Sequence, residues 1–262
     1  EAVRREGAVP ALVAVVDGVP RAGFSPAEAE ALARAGRGVR KATTRDLGLL
    51  AARGESGATT VAATMAIAAA AGIRVFATGG VGGVHRGAAE TFDVSADLLE
   101  LSRTRVAVVA AGAKAVLDLP KTLEALETLG VPVVGFGTPE LPAFWSRSSG
   151  LPLEVRCDGP ADVARLLAAH WAWPSSGGVL VANPCPEEAA LPAAEVEAAI
   201  GRSLAAARVA GVAGKEVTPF LLARLAEETA GRSLASNRAL VVSNAAVAAR
   251  VAVALGPAPP GA

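Results

Sequence analysis

The chain has 262 residues, a length suited to one large α/β domain rather than two. Lys plus Arg total 25 and Asp plus Glu total 25, so the formal net charge is zero, which argues against a general electrostatic attraction to nucleic acid or to a membrane surface. Six Phe, three Trp and no Tyr argue against a stacking platform for single-stranded nucleic acid, and the widely separated Cys157 and Cys185 fit a reducing cytoplasm better than a disulfide framework.

The chain opens Glu1-Ala2-Val3 with no initiator Met and reads as a sequence that begins in mid-protein. Leu12 to Val16 reads as a short strand ended by the Asp17-Gly18 turn. Ser25-Pro26-Ala27-Glu28 starts a helix, with Ser25 as cap and Glu28 completing a capping box. Val39 to Asp46 is dense in charge, including Arg40, Lys41 and Arg45. It reads either as a solvated surface or as a phosphate clamp. Thr59 to Ala71 predicts a buried helix closed by Gly72, and the surrounding apolar run, broken by polar residues and followed by Arg74, fits a core helix rather than a membrane span. No signal peptide is visible. Ile73 to Ala77 predicts a strand, Gly79 to Gly87 a glycine-rich loop, and Ser95 caps a helix running to about Arg103.

Val106 to Ala110 has the continuous apolar character of a strand covered on both faces. Thr122 to Leu129 predicts a helix ended by Gly130, and Val131 to Gly135 another strand. Asp162 to His170 is helical, Gly178 to Ala182 a strand, and Pro192 to Ala210 a long amphipathic helix. Thr218-Pro219 starts a helix that stops near Gly231; a last one spans about Arg238 to Leu255, before a Pro/Gly-rich tail expected to fray. Strands alternating with helices predict a three-layer α/β/α sandwich around a mainly parallel sheet, as a single domain over 1–262.

Three segments carry candidate chemistry. Thr78-Gly79-Gly80-Val81-Gly82-Gly83-Val84-His85-Arg86-Gly87 follows a strand, and clustered N–H groups there can form an anion-binding concavity, with His85 and Arg86 as added donors; a plain turn with a packed histidine is the competing reading. A dinucleotide fingerprint fails because His85 stands where a glycine is needed, and Gly214-Lys215-Glu216 cannot be a nucleotide phosphate loop. Asp93, Ser95 and Asp97 come next. Ser95 and Asp97 suit a helix start, while Asp93 lies outside it and suits a hard divalent cation, Mg²⁺ or Mn²⁺, with few protein ligands and several waters. Lys114 directly follows the buried strand. Desolvation there would free an amine for carbonyl chemistry; alternatively its stem crosses the sheet edge and its head reaches water. Asn237 reads most simply as a helix cap.

Together these segments resemble the pseudouridine-5′-phosphate glycosidase family, also named for indigoidine biosynthesis. The matching stretches include Gly7 to Ala11, Thr59 to Met65, Phe76 to Ala88, Asp93 to Leu98, Ala111 to Lys114, Leu126 to Val133, Asn183-Pro184, Gly214 to Leu222 and Ser243 to Ala245, in the family's order. The resemblance implies a lyase with glycosidase activity in pseudouridine catabolism, cleaving the C–C glycosidic bond of pseudouridine 5′-phosphate reversibly to uracil and ribose 5-phosphate. Two-carboxylate glycosidase chemistry does not suffice for such a bond. The resemblance places the imine-forming lysine on Lys114 and the metal-binding aspartate, usually for Mn²⁺, on Asp93. Ser95, Ala96, Asp97, Lys41 and Val61 fall on substrate-binding positions, with Thr78, His85 and Asn237 as further phosphate or sugar contacts. It also implies a homotrimer. The family's proton donor is a glutamate upstream of the Gly-Ala-Val-Pro segment, and Glu1 and Glu6 do not match its motif. The expectation is therefore a polypeptide that binds phosphosugar and metal but turns over poorly. A non-catalytic phosphosugar- or nucleotide-binding protein is the alternative, and a sugar or nucleoside kinase a weaker third reading.

Overall fold

The computed structural model describes residues 1–212 and 217–257; the Gly214-Lys215-Glu216 stretch and the end of the Pro/Gly-rich tail lie outside the described residues. In chain order the first part runs α1 (Ala2–Arg5), β1 (Val13–Val16), β2 (Val19–Ala22), α2 (Pro26–Ala35), β3 (Arg40–Ala42), α3 (Thr44–Arg53), β4 (Gly57–Thr59), α4 (Val61–Ala70), β5 (Val75–Ala77), α5 (Ala88–Thr91), α6 (Ala96–Arg103) and β6 (Ala107–Ala110). The second part runs α7 (Leu119–Thr128), β7 (Val133–Phe136), β8 (Val155–Cys157), α8 (Pro160–Trp171), β9 (Val179–Ala182), α9 (Ala193–Val209), α10 (Val217–Glu228) and α11 (Arg232–Leu255).

Over the described residues the strands form two sheets. The larger has five strands in the order β5-β6-β9-β7-β8, every pair parallel. Its central β6 and β9 are buried at every residue, as strands covered by helices on both faces must be. The smaller sheet, order β2-β1-β4-β3, is mixed: β1 pairs antiparallel with β2 and β4, and β3 runs parallel to β4. The α/β fold with a parallel sheet stands as expected. The second sheet is an addition: β1 was legible as an apolar run, whereas β2, β3 and β4 are too short and too exposed to show one.

Local signals explain most boundaries. Ser25 and Glu28 make the reciprocal bonds of a capping box at α2. Thr60 caps α4 by accepting from the Ala63 N–H, so the helix begins at Val61, and Thr59 belongs to β4. Asp118 caps α7, which therefore starts ahead of the expected Thr122. The largest correction is at α11. It begins at Arg232 rather than Arg238, which puts Asn237 inside the helix and rules out its reading as a cap. Helix α11 is long and apolar enough to cross a membrane by length and composition, yet it packs against α8, β5 and β6, and its Asn244 is fully buried in polar contacts with loop backbone. It lies against the large sheet, with one face buried and Leu234, Val242 and Val253 exposed on the other.

Candidate active site

The site is a cleft of about 640 Å³ between the two sheets. One wall comes from the carboxyl ends of β5 and β6, where open α/β sheets hold their ligands. It contributes Phe76, Thr78, Gly80, Gly82 and Lys114. The small-sheet side brings Lys41 from β3 and Thr59 from β4, together with the first residues of α3 and α4, including Arg45 and Val61. Asp93 to Asp97 and His85 complete it. The structure thus brings together Lys41, Val61, Thr78, His85, Asp93, Ser95, Ala96, Asp97 and Lys114. Asn237 does not line the cleft; its side-chain oxygen lies behind the wall, 3.3 Å from where a Cβ on Gly79 would stand.

The glycine loop is stitched into the protein. Val81 N–H donates to Gly112 O, Lys114 N–H to Val81 O, and His85 N–H to Asp93 O, with bridges Val81↔Ala113 and His85↔Leu117. Val84 N–H donates to Thr122 Oγ1 at 3.0 Å. Several donors expected to face an anion are therefore spent internally, and the loop acts more as a scaffold for Lys114 than as an open nest. The glycines answer to packing. A Cβ on Gly82 would collide with Ser95 and the Asp97 carboxylate, and one on Gly83 with Thr122.

Asp97 is the keystone of this arrangement. Its carboxylate is buried and accepts from Ala62 N–H and Gly82 N–H, each at 2.8 Å. One oxygen thus satisfies the first turn of α4 and the other holds the glycine loop, joining the two walls of the cleft. Sequence reasoning assigned Asp97 to the start of its own helix; its carboxylate bonds instead go to α4 and to the glycine loop.

Lys114 is partly buried at the cleft wall and makes no ion pair with a carboxylate among the described residues. Burial pushes its amine below the ordinary lysine value; Asp97 opposes that shift and the positive Lys41 adds to it. The amine is thus biased toward its uncharged, nucleophilic form. His85 is also pushed down, first by burial; Asp93 opposes this, and Lys114 and Lys41 reinforce it.

Among the described residues no three His, Cys, Asp or Glu gather as a metal cluster. Asp93 is the available carboxylate: it is partly exposed, with His85 Nδ1 at 3.7 Å from its Oδ2. A single carboxylate fits a hard cation that keeps most of its waters, and does not fit a closed protein cage. Arg86, read as an anion donor, turns away from the cleft. It donates to Leu117 O and Ala115 O and pairs with Glu197 of α9. Arg45 and Thr60 line the cleft without having been singled out. Arg45 was legible only as part of the charged run, and Thr60 only as a member of the Thr59 to Met65 stretch, where it was placed inside the helix it in fact caps.

Comparison with known proteins places these features in a family. The description "Indigoidine synthase A like protein" matches residues 1–254. A Methylobacterium nodulans protein named pseudouridine-5′-phosphate glycosidase is 58% identical over 253 residues, covering 97% of this chain and 75% of the relative. An Escherichia coli protein of the same name is 53% identical over 252 residues, covering 96% of this chain and 81% of the relative. The crystal structure of the prealnumycin C-glycosynthase in complex with ribulose 5-phosphate superposes with a TM-score of 0.91 at 42% identity, over 97% of this chain and 83% of that one. An indigoidine synthase A-like protein from Thermotoga maritima superposes with a TM-score of 0.89 at 39% identity, with the same coverage.

Proposed function

The chain belongs to the indigoidine synthase A like family, and on that premise we propose that it cleaves the C–C glycosidic bond of pseudouridine 5′-phosphate, reversibly, to uracil and ribose 5-phosphate. The observation that carries the reading is the partly buried Lys114 amine, biased toward its neutral form in a cleft that also holds Lys41, His85 and two aspartates. A non-catalytic binder has no use for such an amine, and nothing in the site favours that alternative.

In this reading the Lys114 amine bonds to the sugar C1′ as the ring oxygen O4′ leaves and takes a proton. Breaking C1′–C5 puts the bonding electrons on the uracil, which is protonated at C5, while the nitrogen lone pair closes C1′=N. Water then hydrolyses the imine, releasing ribose 5-phosphate and the free amine. Lys41 and His85, with Thr78 and Ser95 to Asp97, hold the phosphosugar beside the amine. Glu1 and Glu6 flank α1, and neither lines the cleft.

Mn²⁺, or Mg²⁺ in its place, is the proposed cofactor, held by Asp93 with waters. When bound it supplies positive charge on the substrate side of the cleft. The reading takes a homotrimer as the assembly, for which exposed apolar side chains such as Leu12, Val19 and Phe92 offer contact surface. It takes the cytoplasm as the compartment, in keeping with two buried free thiols.

The test is to incubate the protein with uracil, ribose 5-phosphate and Mn²⁺ and follow pseudouridine 5′-phosphate by chromatography. Product that disappears with a chelator is expected, and Asp93→Ala should abolish the metal dependence. Sugar phosphate binding with no product at any protein concentration would leave only a binder.

A further inference from the structure

Two of the family-matching stretches, Asn183-Pro184 and Ser243-Asn244-Ala245, have no part in the chemistry above. The structure brings them together beneath the cleft wall. Asn244 is fully buried on α11, beside the apolar Leu240, Val247 and Ala248 of the same buried face. Its Nδ2 donates to Thr78 O at 2.8 Å and, more weakly, to Gly79 O at 3.4 Å. Its Oδ1 accepts from Asn183 Nδ2 at 2.8 Å, and that same Nδ2 also donates to Ser243 Oγ at 3.0 Å. Asn183 follows β9 directly, and its own N–H donates to Ala110 O at the end of β6.

The polarity of this chain of bonds is forced. Thr78 O and Gly79 O can only accept, so the Asn244 amide must turn its NH₂ to them and its oxygen away. That oxygen needs a donor, which among the described residues the NH₂ of Asn183 supplies. The carboxyl ends of β5, β6 and β9 are thereby tied to one point on α11. A buried amide with both ends satisfied fixes geometry more sharply than an apolar contact could. Thr78 and Gly80 line the cleft on the far side of this tie. Lys114 is held further along the loop by its own N–H to Val81 O; its segment touches the tie only through Ala111 N–H, which donates at 2.9 Å to Gly79 O, the carbonyl that Asn244 reaches at 3.4 Å.

We propose that Asn244, oriented by Asn183, is a positioning residue that sets the Thr78–Gly80 backbone at the cleft wall and so governs the binding of the phosphosugar. The proposal rests on the functional reading above. Because the amine has its own anchorage, loss of the tie acts on KM and leaves kcat nearly unchanged.

The test compares the wild type with Asn244→Leu, Asn183→Ala and Asn183→Ser, with active sites counted by borohydride trapping and thermal midpoints measured in parallel. With one hydrogen bond's worth of fixation lost, KM for pseudouridine 5′-phosphate should rise about tenfold in Asn244→Leu. It should rise less in Asn183→Ala, and Asn183→Ser, whose hydroxyl can still donate to Asn244, should recover part of the loss. The kcat per active site should stay within about twofold. An unchanged KM with a lowered midpoint would make the pair merely structural and overturn the proposal. So would a fall in kcat at constant KM, which would tie the pair to the amine. If Asn244→Leu does not fold, Asn183→Ala and Asn183→Ser decide. If the wild type neither turns over nor traps, the functional reading fails on its own; ribose 5-phosphate affinity by calorimetry then tests the tie, with the same ordering of variants expected.

Discussion

The large sheet delivers Lys114 from strands whose central members are buried at every residue, whereas the small sheet delivers Lys41 on an edge strand with two of its three residues exposed. The difference matches what the proposed role of each group requires. An amine that forms a covalent bond has to be held near about 3–3.5 Å from its target, so it needs a rigid, dry foundation. A charge that attracts phosphate acts over a longer range and tolerates slack. Asp97 couples the two, bonding the α4 side through Ala62 and the glycine loop through Gly82.

Removing the group on the rigid side should have the largest effect. Lys114→Ala is expected to eliminate the borohydride adduct and to lower kcat on the order of 10³-fold or more, with ribose 5-phosphate binding by calorimetry largely retained. Equal loss of binding would show that the large sheet carries recognition as well. Next comes the joint. Asp97→Asn turns an amide NH₂ toward one of two backbone N–H groups, leaving a buried donor unsatisfied. Denaturant unfolding should show a loss of about 1–3 kcal/mol. The smallest effect is expected on the exposed side. Lys41→Met should raise KM about tenfold, the worth of one charge-assisted contact, with the adduct still forming on Lys114. A collapse of kcat in that variant would erase the division between the sheets.

The same division decided what could be read in advance. Strands β6 and β9 showed as continuous apolar runs because both their faces are covered, and the parallel sheet followed from them. The capping box at Ser25 and the stop at Gly130 were likewise visible as local chemistry. Strand β2, exposed or half-exposed along its length, and β3, buried only at Ala42, carry no such pattern; β3 was visible only as a charged run. Long-range bonds were also out of reach. Nothing local shows that Asp97 serves helix α4, that Arg86 faces Glu197 instead of the cleft, or that Asn244 reaches Thr78. Asn237 was misread because the start of α11 has no side-chain cap to mark it.

The central claim is that Lys114 presents a neutral amine to the sugar. It is tested most directly by trapping the ribose 5-phosphate adduct with borohydride across a pH series and mapping it by mass spectrometry. Burial lowers the pKa of this amine, and only the deprotonated form attacks, so trapping on Lys114 should rise with pH and level off below the ordinary lysine value of 10.5. Lys41→Met removes a like charge and should move that plateau to higher pH; Asp97→Asn removes an opposite charge and should move it lower. An adduct on another lysine, or a profile that still climbs past 10.5, would contradict the account.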